Sequence, residues 1–184
     1  MPNYCTNNLH VSGDAKEIKR FHEAIIKNED ERKEHDQFSI LDNLLPTPKD
    51  KKDGIDGIDA VAWNCANYGS KWSDFDGVFN IVTDTEIHAT FMSAWSPIGE
   101  GIRNVSKQFP TLDFILTYDE GGMAFLGGFA IRNGEFVVEL EGEYPSMSSA
   151  QQENEEYDEF YDQVSEVVDS IWGLCREALS KASV

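Results

Sequence analysis

The residues most suited to chemistry are carboxylates. Glu155, Glu159, Asp162, Glu166 and Asp169 follow one another at steps of four and three, which aligns them along a single line of a helix. At ~1.5 Å rise per residue, neighbours in that line lie ~4.5–6 Å apart along the axis, a spacing comparable to that of charges on a nucleic-acid backbone. No lysine or arginine interrupts residues 133–175. Like charges in register cost an isolated helix roughly 0.2–0.5 kcal/mol per pair, and a solvated face more usually mixes signs. Glu139 and Glu141, with Glu135 and Glu143, extend this acidic surface from a preceding strand. The pattern suits recognition of a basic protein surface by electrostatic steering and competition with phosphate; it equally describes a solvated face.

A second constellation is aromatic. Trp63-Asn-Cys-Ala-Asn-Tyr-Gly-Ser-Lys-Trp72 reads as a loop with two indoles, two amides and one cation, and Lys71 is the only base between Lys52 and Arg103. Trp63, Asn67, Lys71 and Trp72, joined by Tyr4, Asn8 and Trp95 from neighbouring strands, would hold a small planar or anionic ligand. The same residues would also serve to pin a long loop to the sheet, with Lys71 paired to Asp74 or Asp76.

Other chemistries find little support. The four histidines (His10, His22, His35, His88) show no ligand spacing, and no glycine-rich phosphate loop, nucleophile elbow or HExxH stretch occurs. The aspartates of 53–59 and of Asp74-Phe-Asp-Gly77 do not match a calcium loop. Three widely spaced cysteines, Cys5, Cys65 and Cys175, give neither a disulfide framework nor a zinc site. The expectation is therefore no metal, no cofactor and no catalytic residue: a non-enzymatic protein.

Charge and composition bound the partners. The chain has 184 residues, 40% of them hydrophobic, and a formal net charge of -19. Residues 1–52 hold 9 basic and 10 acidic side chains, residues 53–150 hold 4 and 15, and residues 151–184 hold 2 and 9. The excess thus lies almost wholly after residue 52. Such a chain is repelled by phosphates and anionic lipid, so direct nucleic-acid or membrane binding is not expected, whereas a basic host protein is. Without an apolar run near Met1 or a stretch of ~18 apolar residues, the expected location is the cytoplasm.

These residues need elements to hold them. Residues 3–11 read as a strand. Asp14 and Glu17 form a capping box for a helix carrying Ile18, Phe21, Ile25 and Ile26 that runs to about residue 29. Two prolines, Pro46 and Pro48, with the following lysines, stop regular structure. Residues 78–83 and 86–95 read as strands. Ser96 and Pro97 open a second helix with Ile98, Ile102, Val105 and Phe109 inside. Strands follow at 112–118 and 123–131, then Asn133-Gly134 as a hairpin turn, a strand from Phe136, and a helix over about 153–182 with one wide apolar face. That face leaves intrachain packing and homodimerisation both open. The order is a split α+β pattern: a ferredoxin-like antiparallel sheet with two helices on one face, plus an added β-hairpin and a long C-terminal acidic helix. The expected organisation is a ferredoxin-like domain over 1–132, with a long insertion at about 42–77, and a C-terminal strand and acidic helix over 133–184 packed on the same domain.

Met1-Pro2-Asn3-Tyr4-Cys5 with Asn8 and Leu9, the loop Asn67-Tyr-Gly-Ser-Lys-Trp72, and Ala94-Trp-Ser-Pro97 before a helix resemble the YubB-like proteins carried by phages and plasmids. The resemblance covers roughly residues 1–132 and implies a ferredoxin-like fold and a mobile-element origin. It implies no reaction. Tyr4 and Tyr68 stand where that family usually has tryptophan, and Ile98 where a second proline is common.

Overall fold

The structure is a computed structural model that describes residues 3–27, 36–52, 58–146 and 157–182. Six strands form one antiparallel sheet: β1 (Tyr4–Ser12), β2 (Phe75–Val82), β3 (Glu86–Ala94), β4 (Asp113–Glu120), β5 (Phe125–Arg132) and β6 (Glu135–Gly142), in the spatial order β2-β3-β1-β4-β5-β6. The helices are α1 (Ala15–Ile25), α2 (Ile40–Leu44), α3 (Lys49–Lys52), α4 (Ile58–Tyr68), α5 (Gly99–Ser106) and α6 (Tyr157–Lys181). β1-α1-β2-β3-α5-β4 is the ferredoxin-like unit, and the β5–β6 hairpin lengthens its sheet beyond β4.

Alternation decides which side of the sheet each residue meets. Leu9 and Val11 of β1, Ile87, Ala89 and Phe91 of β3, and Phe114 and Leu116 of β4 face the layer of α1, α2 and α5. There they form the main core with Ile18, Phe21, Ile102, Val105 and Phe109, and Phe21 packs edge-on against Phe109 and Phe114 at 5.1 and 5.5 Å.

On the opposite face, Ile115, Leu126 and Ala130 meet Val164, Ile171, Cys175 and Leu179 of α6. This helix packs on β5, β6 and β4, so its apolar face is taken up within the chain. Two glycines permit the close approach: a Cβ at Gly128 would lie 2.7 Å from Ile171 Cγ2, and one at Gly142 2.9 Å from Ile171 Cδ1. Because α6 covers only the β4–β6 half, the face of β1, β3 and β2 beside it stays open as a groove.

Local expectations meet mixed outcomes. Asn133 and Gly134 turn the β5–β6 hairpin with φ of +48° and +82°, the left-handed conformation that a two-residue turn needs. Asp14 caps α1 by accepting from Lys16 N at 2.9 Å, but Glu17 does not complete a box; Arg20 holds its carboxylate, and α1 ends at Ile25 rather than near residue 29. Ser96 does not cap α5: its hydroxyl donates to Gly69 O, and Ile98 occupies the cap position. Lys49–Lys52 forms a helical turn after the prolines rather than irregular chain. The Asp-Gly repeat before Ile58 and most of the charged run after residue 27 lie outside the described residues.

Candidate functional site

The acid line behaves as its spacing requires. On α6 the buried side chains are Val164, Ile171, Cys175 and Leu179; Glu159, Asp162, Glu166 and Asp169 are exposed, Asp169 at the rim of the groove beside the helix. Glu155 lies outside the described residues. Among the described residues, several cations pair away from this line: Arg20 with Glu17, Lys27 with Asp36, Arg103 with Glu100, Arg132 with Asp113 and Lys181 with Glu177. Among the described residues no ion pair reaches the α6 line.

Glu139 and Glu141 do not extend that line. Val138, Leu140 and Gly142 of β6 face α6, so the alternating residues must point to the other side of the sheet. Glu139 and Glu141 pair in register with Phe129 and Gly127. There they lie near Tyr118, whose hydroxyl is pushed up to about 12 by burial and then by these carboxylates. The sheet therefore separates two acidic patches where one continuous surface was expected.

The aromatic constellation is also divided. Residues 63–68 are helix α4, not loop, because an alanine-rich run without proline can close its own backbone hydrogen bonds. Trp63 packs edge-on to buried Tyr68 at 5.3 Å and contacts the main core. Asn67 is spent on the backbone, donating to Trp63 O at 2.8 Å. Asn8 stands on the groove face, accepting from Thr90 Oγ1 at 3.0 Å. What remains together is Lys71, Trp72 and Trp95; Tyr4 pairs with Ala94 in the sheet and turns its ring to Phe75. Lys71 Nζ sits 5.1 Å from the ring centroid of Trp72 and 4.5 Å from that of Trp95. Neither Asp74 nor Asp76 pairs with it: Asp74 is buried and accepts from Ile40 N and Leu41 N, both at 2.8 Å, capping α2.

Trp95 is 47% exposed and has φ +73°, a conformation that costs a non-glycine residue about 1–3 kcal/mol. The Asn67–Trp72 and Ala94–Pro97 segments hold it there. Ser70 Oγ donates to Ala94 O and accepts from Ala94 N, Ser96 binds Gly69 O, and Ser93 Oγ donates to Ser96 O at 2.7 Å. Tyr4, 50% exposed, packs edge-on to Phe75 at 5.2 Å.

The groove beside α6, about 480 Å³, brings His10 and His88 together with Asn8, Asp169 and Trp172. β1 and β3 pair so that His10 stands directly across from His88, their ring centroids 4.3 Å apart. Trp172 of α6 closes over His10 at 5.7 Å, and His88 Nε2 lies 3.6 Å from Glu86 Oε2. Burial, then His88, pushes the His10 pKa down to about 4, holding its imidazole neutral. The donor atoms of His10, Glu86 and His88 all lie within 4.8 Å of one another. No linear spacing signals this trio, because the two histidines meet only through the β1–β3 pairing of the ferredoxin-like topology.

The comparisons agree with this architecture. A crystal structure of a protein api92 from Yersinia pseudotuberculosis is similar to this chain with a TM-score of 0.53 at 10% identity, over 80% of this chain and 100% of that one; at that identity the likeness is one of fold. No curated protein matches. The YubB-like name is not among the matches, although the ferredoxin-like fold it implied is. The family model described as the ferredoxin-like domain in Api92-like protein matches residues 66–162, from α4 through the whole β2–β6 sheet region into α6, and the chain belongs to that family.

Proposed function

We propose that this chain is a non-enzymatic accessory protein, acting in the cytoplasm and carried by a mobile element, that binds a basic host protein surface through the outer side of α6. The single observation that carries the reading is the uncompensated line Glu159, Asp162, Glu166 and Asp169, turned to solvent on a helix whose other side is fixed to the sheet. Four charges span about 15 Å on a rigid rod, so their orientation is set before encounter. A nucleic-acid-binding protein offers a matching row of cations, and the helix would compete there with phosphate. Glu139 and Glu141 form a second, separate patch on the far face. The free thiols Cys5, Cys65 and Cys175 suit a reducing compartment.

Immobilised full-length chain should retain a basic host protein at low salt and release it steadily as salt rises, because exposed charges are screened over about 10 Å at 0.1 M. A variant with all four α6 acids amidated (Glu159→Gln, Asp162→Asn, Glu166→Gln, Asp169→Asn) should retain none. Equal retention by this variant would remove the α6 line from the account.

A second reading is favoured by Lys71 between the rings of Trp72 and Trp95: a small anionic or planar ligand held at that edge of the sheet. Binding of a nucleotide-like or anionic metabolite should raise the thermal midpoint of the chain, and Trp72→Ala should abolish the shift without changing the circular dichroism. A shift that persists in Trp72→Ala excludes this site.

A further inference from the structure

We infer that His10, His88 and Glu86 form a site for one divalent first-row transition-metal ion of the zinc type, at the end of the groove beside α6 where it meets a smaller cavity lined by His10 and Glu86.

Three observations support it. His10 is 8% exposed, and neither Nδ1 nor Nε2 has a hydrogen-bond partner although both are closed to solvent. A neutral imidazole carries one donor and one acceptor, and buried polar atoms are rarely left with neither satisfied. Coordination through one ring nitrogen would employ such an atom. The neighbours also supply the remaining ligands from the same face of the sheet: His88 across the strand pair and Glu86 two residues before it. Their donor atoms lie within 4.8 Å of one another, and the His88–Glu86 separation is 3.6 Å. A tetrahedral ion with bonds near 2.0–2.2 Å sets its ligands roughly 3.3–3.5 Å apart, so changes in side-chain torsion close the set without moving the strands.

The donor types choose the ion. Two imidazoles and one carboxylate suit zinc, ferrous iron, cobalt or nickel, whereas calcium and magnesium call for oxygen alone. Three protein ligands leave a coordination position, and the groove lined by Asn8, Thr117 and Asp119 gives water access to it. The charged groups that share the smaller cavity with His10 and Glu86 have other partners: Asp113 pairs with Arg132, and Arg176 lies over the ring of Trp172 at 5.3 Å. The exposed thiol of Cys65 lies on α4 and is not part of this set.

The test uses the metal-free full-length chain, titrated with Zn²⁺ by calorimetry and with Co²⁺ by visible absorption. One ion per chain is expected, with a cobalt spectrum that lacks thiolate charge-transfer absorption. His88→Ala and Glu86→Gln, both at partly exposed positions, should each weaken binding by roughly tenfold or more while keeping the wild-type circular dichroism, and Cys65→Ser should bind as the parent does. Absence of binding to the parent chain overturns the site. So does binding unchanged in His88→Ala and Glu86→Gln, or binding lost in Cys65→Ser.

Discussion

Ile171→Ala tests the docking that aims the acidic line. Ile171 is buried on the sheet-facing side of α6, against the backbone positions of Gly128 and Gly142. The substitution deletes three carbons; at about 0.8 kcal/mol per buried CH₂ the transfer loss is about 2.4 kcal/mol. The cavity left behind adds to this, because glycine neighbours have no side chains to move into it, giving about 3–4 kcal/mol in all. Urea denaturation followed by circular dichroism should show that loss as a lower midpoint with an unchanged slope. For a domain of this size the thermal midpoint should fall by roughly 10 °C. Since α6 packs on β4, β5 and β6, hydrogen exchange should accelerate more along α6 than in β1. A loss below about 1 kcal/mol, or equal acceleration in β1 and α6, would refute docking of the helix through this residue.

Two further substitutions probe other joints. Asp74→Ala removes a buried carboxylate that accepts from Ile40 N and Leu41 N; two charge-assisted bonds suggest a loss of about 3 kcal/mol, measurable by urea unfolding, and a change within error would mean that α2 is not capped this way. Tyr118→Phe tests alkaline stability. The folded-state pKa of Tyr118 is pushed up to about 12 by burial and then by Glu141 and Glu139, above the unfolded value near 10, so its contribution is intact below pH 10 and is lost as pH rises toward 12. Two units correspond to about 2–3 kcal/mol. Cys5, also pushed up to about 12 by burial, titrates in the same window in both proteins, so the parent should lose more stability than Tyr118→Phe between pH 10 and 12; parallel curves would contradict the assignment.

Much of the fold was legible because its signals are local. Asn133-Gly134 marked its hairpin, the alternation from Glu86 to Ala94 marked a strand, and Ile102 and Val105 marked the buried side of α5, which stops at Ser106 so that Phe109 reaches the core from the turn after it. The error at residues 63–68 has a physical cause: asparagine, glycine and serine near Tyr68 carry loop signals, while the helix is held from outside by Tyr68 and Asn64, which bond to Leu45 O and Thr47. Ser96 looked like a cap because its tertiary partner, Gly69 O, is remote in sequence. The same remoteness hid the groove. His10 and His88 are unrelated until β1 and β3 pair, and an unpartnered imidazole is visible only when its surroundings are. The division of the acidic surface, by contrast, was available in advance: Val138 and Leu140 alternate with Glu139 and Glu141, so carboxylates of β6 could not share the side on which an apolar helix packs.

The most direct test of the central claim is displacement. A basic host protein retained by the immobilised chain is challenged with short duplex DNA, in parallel with the α6 variant in which Glu159, Asp162, Glu166 and Asp169 are amidated. If the outer side of α6 takes the place of phosphates, DNA should release the protein from the parent chain and the variant should capture none from the start. Retention that withstands DNA, or that survives loss of the four charges, would contradict the account.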